Sequence, residues 1–245
     1  MNELEKKQQS DVVALEKKDL GFAQSPETEG LIILPRAKML QGSAEELKDE
    51  NLPCRVGDII NSLTKEKLPS VFIPILFSTN WIRFNAKLPG DFGFDPAYEP
   101  SAIIWRANSK TDPAYIDAET KFGPNGEKPL ATQFLNFFSY FPGHEMPIIL
   151  SFAKTSFGAG RELFTLCSSL PGTPYAYKYK LGKKTKTGPS GDDYLVLTVT
   201  MAGKNEGEDY DRAHELALQF ASKVDRMQAH DIEEVETEDA EEVPF

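Results

Sequence analysis

Short apolar segments recur through the middle of the chain, separated by stretches rich in Gly, Pro, Asn and Asp. Residues 71–77 (VFIPILF) and 146–152 (MPIILSF) are examples. Runs of this length with many β-branched and aromatic side chains are typical of strands. Because proline has no backbone N–H, Pro74 requires the first of these strands to lie at a sheet edge or to contain a bulge. A mainly β fold is therefore expected.

Hairpins and long loops are predicted from the residues between these segments. A Ser-Thr-Asn sequence after residues 71–77 predicts a turn into a strand at 81–84. Residues 182–191 predict the loop of a second, basic hairpin. Residues 87–100 and 108–130 predict long loops, which are usually functional or mobile in a compact domain. The remaining predicted strands are 31–34, 36–40, 102–106, 175–181 and 194–201.

Two helices are predicted in the second half of the chain. Thr or Ser at 155–156 can cap a helix that continues to about residue 170, where Pro-Gly ends it. Residues 208–227 have apolar side chains at a spacing of four, which predicts a second helix. Short strands, a basic hairpin and one capping helix together predict a mainly β (α+β) fold. The expected architecture is an OB-type β-barrel with long inserted loops and one or two helices.

The net charge of −11 is unevenly distributed along the chain. Residues 229–245 hold eight acids and no lysine or arginine, which predicts a disordered acidic tail. Residues 1–30 carry a net charge of −3 and predict a flexible N-terminal arm. Residues 31–228, the predicted OB-like domain, are neutral overall, but residues 154–186 hold seven bases and one acid. The sequence therefore predicts a basic surface with an acidic tail beside it.

The last residues of the sequence combine the aromatic ring and the α-carboxylate of Phe245 with the conformationally restricted Pro244. Several acids precede them. This combination suits capture by a partner protein that offers an apolar pocket and a basic residue. The segment resembles the acidic C-terminal tip of bacterial and phage single-stranded DNA-binding proteins, which recruits replication and repair enzymes. The resemblance implies that the partner-binding residues are Glu241, Glu242, Val243, Pro244 and Phe245.

A second resemblance involves segments within the predicted domain. Residues 34–38 (LPRAK), 56–60 (VGDII) and 150–161 (LSFAKTSFGAGR) are similar to phage-encoded proteins that coat single-stranded DNA. Some of those proteins have a zinc ribbon in mid-chain, but no cysteine lies between Cys54 and Cys167 here. No metal site and no cofactor are therefore expected, and both cysteines are expected to be small buried side chains.

Aromatic and basic side chains on the predicted strands are candidates for contacts with DNA. Single strands are held by rings that stack on bases and by cations that follow the phosphates. In residues 175–180 (YAYKYK), a period of two places three tyrosines on one face and two lysines on the other. Tryptophans beside arginines predict a stacking platform, with a place in the core as the alternative. The predicted DNA-binding residues are Arg36, Lys38, Trp81, Arg83, Phe84, Trp105, Arg106, Lys154, Arg161, Tyr175, Tyr177, Lys178, Tyr179, Lys180, Lys183, Lys184 and Lys186.

Enzyme and membrane signatures are incomplete in this sequence. His144-Glu145 lacks the second histidine of a zincin, and Gly158-Ala159-Gly160 lacks the third glycine of a dinucleotide loop. No Gly-x-Ser-x-Gly motif occurs. No apolar run approaches the roughly 20 residues that cross a bilayer, and residues 1–11 lack a signal-peptide pattern. A cytoplasmic protein without enzymatic activity is expected, in the bacterial host cytoplasm if the chain is phage-encoded.

The sequence predicts sequence-tolerant binding and protection of single-stranded DNA during phage or bacterial DNA replication or recombination. The acidic tip is expected to recruit partner enzymes, and a homo-oligomer is left open. The main alternative is a structural or assembly protein of a virion that uses the tail as a docking peptide. A nuclease or annealing enzyme is a further alternative.

Overall fold

A computed structural model describes residues 33–49, 51–188, 191 and 193–221. The predicted arm (1–30) and the predicted acidic tail (229–245) lie outside the described residues, as does the end of the second predicted helix. The eight strands of the described part are β1 (Ala37–Met39), β2 (Ile59–Asn61), β3 (Val71–Phe84), β4 (Ile103–Ala107), β5 (Ala131–Tyr140), β6 (Ile148–Phe152), β7 (Tyr177–Thr187) and β8 (Asp193–Lys204).

Six of these strands form one antiparallel sheet, and the mainly β prediction is confirmed. The strand order is β6-β5-β3-β7-β8, and β4 pairs with the end of β3. The short strands β1 and β2 form a separate antiparallel pair. Because β3 has 14 residues, it is long enough to pair with β7 at its start and with β4 at its end. β5 lies along the opposite edge of β3.

The hairpin predicted within residues 71–84 is wrong, because β3 continues through Ser78, Thr79 and Asn80. The turn-forming side chains find partners on the sheet instead. The Thr79 hydroxyl donates to the Phe134 carbonyl at 3.0 Å, and the Asn136 amide donates to Asn80 Oδ1 at 3.2 Å. Tertiary hydrogen bonds thus override the local turn preference.

The bulge predicted from the proline in β3 is confirmed. The pairing of β3 with β5 shifts register between Pro74 and Leu76. The shift leaves Ile75 outside the regular ladder. Among the described strands, only β5 pairs with β3 at Pro74, because β7 pairs with residues 71–72 and β4 with residues 81–84, so the missing proline N–H is tolerated there.

The second predicted hairpin is present, but its strands are longer than expected. β7 and β8 pair from Tyr177 opposite Lys204 to Thr187 opposite Asp193, so residues 182–187 belong to a strand. We name the β7–β8 pair the ribbon. Only Tyr179 and Lys180 of β7 pair with β3, and the distal half of β7 therefore has β8 as its sole strand partner among the described residues.

Two helices pack on the sheet: α1 (Phe157–Ser169) and α2 (Glu208–Phe220). Helix α1 contacts β5, β6 and β8, so it reaches both outer strands of the β6-β5-β3-β7-β8 path. It approaches β6 closely, because a Cβ at Gly160 would lie 2.6 Å from Phe152 Cβ. The described strands β6 and β8 do not pair with each other, so the sheet is unclosed and the OB-type barrel is not confirmed.

The main core lies between α1 and the sheet. Its largest fully buried side chains are aromatic and come from four strands and from Phe141, the residue after β5. The short 3-10 helices lie in connections, at Glu45–Lys48, Asp117–Thr120, Lys154–Ser156 and Pro174–Ala176. The core includes Phe72, Phe137, Phe141, Leu150, Phe152, Leu163, Tyr179, Leu181, Leu197 and Val199.

Candidate nucleic-acid interface

Four lysines of β7 share one face of the ribbon. Successive side chains of a strand alternate between faces, and Tyr179 and Leu181 point into the main core. Lys178, Lys180, Lys184 and Lys186 therefore lie on the opposite face. The last three of these are exposed, and we name them the lysine stripe. At about 3.3 Å per residue, the backbone positions of Lys180 and Lys184 are about 13 Å apart, and those of Lys184 and Lys186 are about 7 Å apart.

The charges of the lysine stripe are not compensated by the described residues. No salt bridge in that part of the chain involves Lys180, Lys184 or Lys186. By contrast, Lys178 donates to Asp209 at 2.6 Å. Exposed ammonium groups without a carboxylate nearby keep their full attraction for an external anion.

The ribbon is braced by the segment that precedes β2. The Gln41 side chain donates to the Leu195 carbonyl at 3.1 Å and accepts from the Leu195 N–H at 3.2 Å. Lys183 Nζ donates to the Val56 carbonyl at 3.3 Å, from the face opposite the lysine stripe. Gly57 has a φ of +81°, and a Cβ there would overlap the Lys183 side chain. These contacts hold the distal half of the ribbon in place.

The three tyrosines near the start of β7 do not share one face of the strand, as the period of two predicts for them, because the strand begins only at Tyr177. Tyr175 lies in a 3-10 helix outside the strand, where its hydroxyl is 2.8 Å from His214 Nδ1. Tyr177 is half-buried against the main core. Tyr179 is fully buried, and burial raises its pKa above the usual range. Tyr177 and Tyr179 lie on the core side of the sheet, whereas Tyr175 packs against Tyr210 and His214 of α2.

The predicted tryptophan platform lies in a second core cluster. Trp81 and Trp105 are only 6% and 8% exposed, and Tyr115 packs edge-on against them at centroid distances of 5.3 and 6.3 Å. Glu119 accepts from the Trp105 indole N–H and forms an ion pair with Arg83. Packing and hydrogen bonds thus occupy these side chains, which corresponds to the core alternative considered for them.

Arg36 and Lys38 are half-buried and bonded within the protein. Arg36 Nη1 donates to Ser151 Oγ at 2.8 Å, which joins β1 to β6. Lys38 Nζ lies 3.1 Å from the carboxylate of Glu46, a residue that is only 6% exposed. These two bases therefore have a structural role in the described part of the chain.

The other predicted residues differ in exposure. Phe84 is half-buried against Phe134, with ring centroids 6.4 Å apart, and Arg106 is half-buried on β4. Lys154 and Arg161 are exposed at the start of α1 and in its first turns. The predicted aromatic residues are thus all buried or half-buried, whereas the predicted bases divide into a half-buried group and an exposed group. The exposed bases are Lys154, Arg161, Lys180, Lys183, Lys184 and Lys186.

None of the five exposed rings of the described residues is among the predicted residues, and two of them lie on regular elements, Phe77 on β3 and Phe164 on α1. Phe77 lies in a predicted apolar strand and Phe164 in a predicted helix, and neither sequence pattern shows whether the side chain is exposed to solvent. The one available signal was the spacing of Phe164 from Arg161, which places a ring and a cation on one side of a helix.

An open pocket of about 580 Å³ lies beside the start of α2. Its lining includes Glu145, Glu208, Asp209 and one arginine, Arg212, so it does not extend the basic surface. Within the described ranges, no group of three or more His, Cys, Asp or Glu side chains is placed to hold a metal ion. No helix of this part of the chain is long and apolar enough to cross a membrane.

Comparison with protein families finds one match over most of the chain. The model of a family described as Pam3 phage gp34-like protein matches residues 5–225. Neither the curated proteins nor the solved structures contain a significant match to this chain.

Proposed function

The chain belongs to the Pam3 phage gp34-like protein family, and we propose that this phage protein binds single-stranded DNA through the lysine stripe. The binding is sequence-tolerant, because lysines contact phosphates and these are the same at every nucleotide. The corresponding role is to coat single-stranded DNA that is exposed during phage DNA replication or recombination.

The single observation that carries this proposal is the uncompensated charge of the lysine stripe. A protein of net charge −11 would repel nucleic acid if its charges were evenly spread. Here three exposed lysines lie on one face of a braced ribbon and have no carboxylate partner among the described residues. Such a row can follow a phosphate backbone without first breaking ion pairs of its own.

The acidic tip is the second part of the proposed function. Glu241, Glu242, Val243, Pro244 and Phe245 lie outside the described residues, so the support for this part is the sequence resemblance alone. We propose that the tip recruits replication or repair enzymes to the coated strand. A pocket for the Phe245 ring and a base for the nearby carboxylates would suffice for capture.

Charge reversal in the lysine stripe tests the proposal. Binding of a labelled oligo-dT and of a duplex is measured by fluorescence anisotropy at several salt concentrations. We expect Lys184→Glu with Lys186→Glu to weaken single-strand binding and to reduce the log–log salt slope. Each lost phosphate contact lowers that slope by about 0.7 for single strands.

The matched control is Lys87→Glu with Lys110→Glu, two exposed lysines on loops away from the ribbon. It changes the net charge by the same amount, so an equal effect would show that the total charge matters and the ribbon does not. Absence of single-strand binding by the unmodified protein would exclude the proposed function. The virion assembly role would then be the one to pursue.

A further inference from the structure

Exposed aromatic rings are needed for base stacking, and the predicted ones are buried or half-buried. Five aromatic side chains of the described residues are exposed. Three of them lie on the long loops, each with acidic residues close by in sequence. The other two, Phe77 on β3 and Phe164 on α1, contact each other. The exposed rings are Phe77, Phe92, Tyr98, Phe122 and Phe164.

Phe77 and Phe164 form a single surface, which we name the aromatic platform. Their ring centroids are 4.8 Å apart with a 50° tilt, and the side chains are 37% and 44% exposed. Phe77 also packs on buried Phe137, its partner across β3 and β5, at 5.0 Å. The platform is therefore anchored on the core, and little side-chain entropy remains to be lost on binding.

A cation lies beside the platform. Arg161 precedes Phe164 by three residues on α1, so the two side chains are neighbours on the helix surface. Arg161 is exposed and forms no salt bridge with the described residues. Glu162 projects from another side of the helix, because two residues span about 200°. The charge next to the platform is therefore positive.

Polar groups continue the platform along the sheet. Thr79 follows Phe77 by two residues and shares its face of β3. Gln133 on β5 donates to the Thr79 hydroxyl at 3.3 Å. Both side chains are half-buried, and each has capacity for a further hydrogen bond.

We propose that the aromatic platform is the site where bases of the bound strand stack, with Arg161 contacting an adjacent phosphate. This assignment rests on the proposed function and adds the stacking rings that the lysine stripe lacks. The platform lies on the α1 side of the sheet and the lysine stripe on the opposite face, so a strand that contacts both must pass around an edge of the sheet. Every base has a π-face, so stacking on Phe77 and Phe164 is independent of sequence. Arg161 supplies beside the rings the positive charge that contact with a phosphate requires.

The test compares Phe164→Ala with Phe122→Ala, since each removes one exposed phenyl ring. Binding of labelled oligo-dT is measured across the salt series used for the lysine stripe. We expect Phe164→Ala to weaken binding by about 5- to 100-fold, the usual range for one stacking residue, with an unchanged salt slope. Phe122→Ala should bind as the unmodified protein does, and Phe164→Trp should retain affinity.

Folding is monitored by thermal melting of each variant. If Phe164→Ala melts well below the control, the binding test is repeated with Phe164→Leu. This variant keeps most of the apolar volume and removes the aromatic face. Its affinity should still fall. Cross-linking of 5-iodouracil oligonucleotides, followed by peptide mapping, should identify Phe77 or Phe164 as a contact.

The outcomes separate the two proposals. If the unmodified protein does not bind oligo-dT, the proposed function fails. If it binds, and Phe164→Ala and Phe164→Leu match the Phe122→Ala control, the platform assignment fails while the lysine stripe stands. Loss of a protein partner at unchanged DNA affinity would make the platform a protein-docking surface and would also overturn the assignment.

Discussion

Lys183 and Lys184 are adjacent and chemically identical, yet they lie on opposite faces of the ribbon. Lys183 reaches the Val56 carbonyl at 3.3 Å, whereas Lys184 belongs to the lysine stripe, which has no salt bridge among the described residues. The alternation of a strand thus separates a bracing lysine from a candidate phosphate-binding lysine. Residue type alone does not distinguish these roles.

This difference predicts unequal effects of single substitutions. Lys183→Ala removes one exposed hydrogen bond and should lower the free energy of unfolding by about 0.5–1 kcal/mol, while most of the salt slope remains. Lys184→Ala should leave unfolding unchanged and lower the log–log salt slope by about 0.7. Urea denaturation and oligo-dT titration measure the two effects. Equal loss of slope in both variants would show that Lys183 also contacts DNA.

Helix α1 contains two glycines with opposite surroundings. A Cβ at Gly158 would meet nothing within 4 Å, whereas one at Gly160 would lie 2.6 Å from Phe152 Cβ and 3.1 Å from Leu135 Cδ1. Gly160 therefore allows the close approach of α1 to β5 and β6. The position of the aromatic platform depends on that approach, since Phe164 lies one turn further along the helix.

Alanine at these two positions should change stability in opposite directions. Gly158→Ala should stabilise the protein by up to about 1 kcal/mol, because alanine favours the helix and the space is open. Gly160→Ala should destabilise it by about 1–3 kcal/mol, since a buried overlap must be relieved by movement of the helix or of Phe152. Thermal melting of both variants provides the measurement. A stabilising Gly160→Ala would mean that α1 does not pack on β6 as described.

At the scale of the whole molecule, opposite charges are separated along the chain. Residues 154–186 hold seven bases and one acid, and residues 229–245 hold eight acids and no lysine or arginine. An acidic segment on the same chain competes with phosphates for a basic surface. On this view, the tail weakens DNA binding while it provides the tip for partner capture.

Deletion of residues 229–245 changes the net charge from −11 to −3. We expect the truncated protein to melt as the full chain does, to bind oligo-dT more tightly at low salt, and to lose partner recruitment. Deletion of Phe245 alone keeps all eight acids and should spare DNA affinity while it abolishes recruitment. Anisotropy and pull-down with host or phage replication enzymes measure the two effects. Weaker DNA binding after truncation would contradict the proposal that the tail competes with DNA phosphates for the basic surface.

The sequence by itself determined the features that depend on neighbouring residues. The mainly β character, the bulge at Pro74 and the limits of α1 follow from local pattern, since proline and helix-ending residues act on the backbone beside them. The basic β7–β8 hairpin was also predicted, although the extent of its strands was not. Local charge density identified the same hairpin as a candidate interface.

Tertiary structure alone decided the continuity of β3 and the exposure of individual rings and lysines. Asn80 stays within a strand because Asn136, 56 residues away, hydrogen-bonds to it. Glu119 holds Trp105 and Arg83 together, and Gln41 pairs with Leu195 across 154 residues. Hydrogen-bond partners and the exposure of individual side chains are set by contacts between distant parts of the chain, and periodicity along a single segment does not identify those contacts.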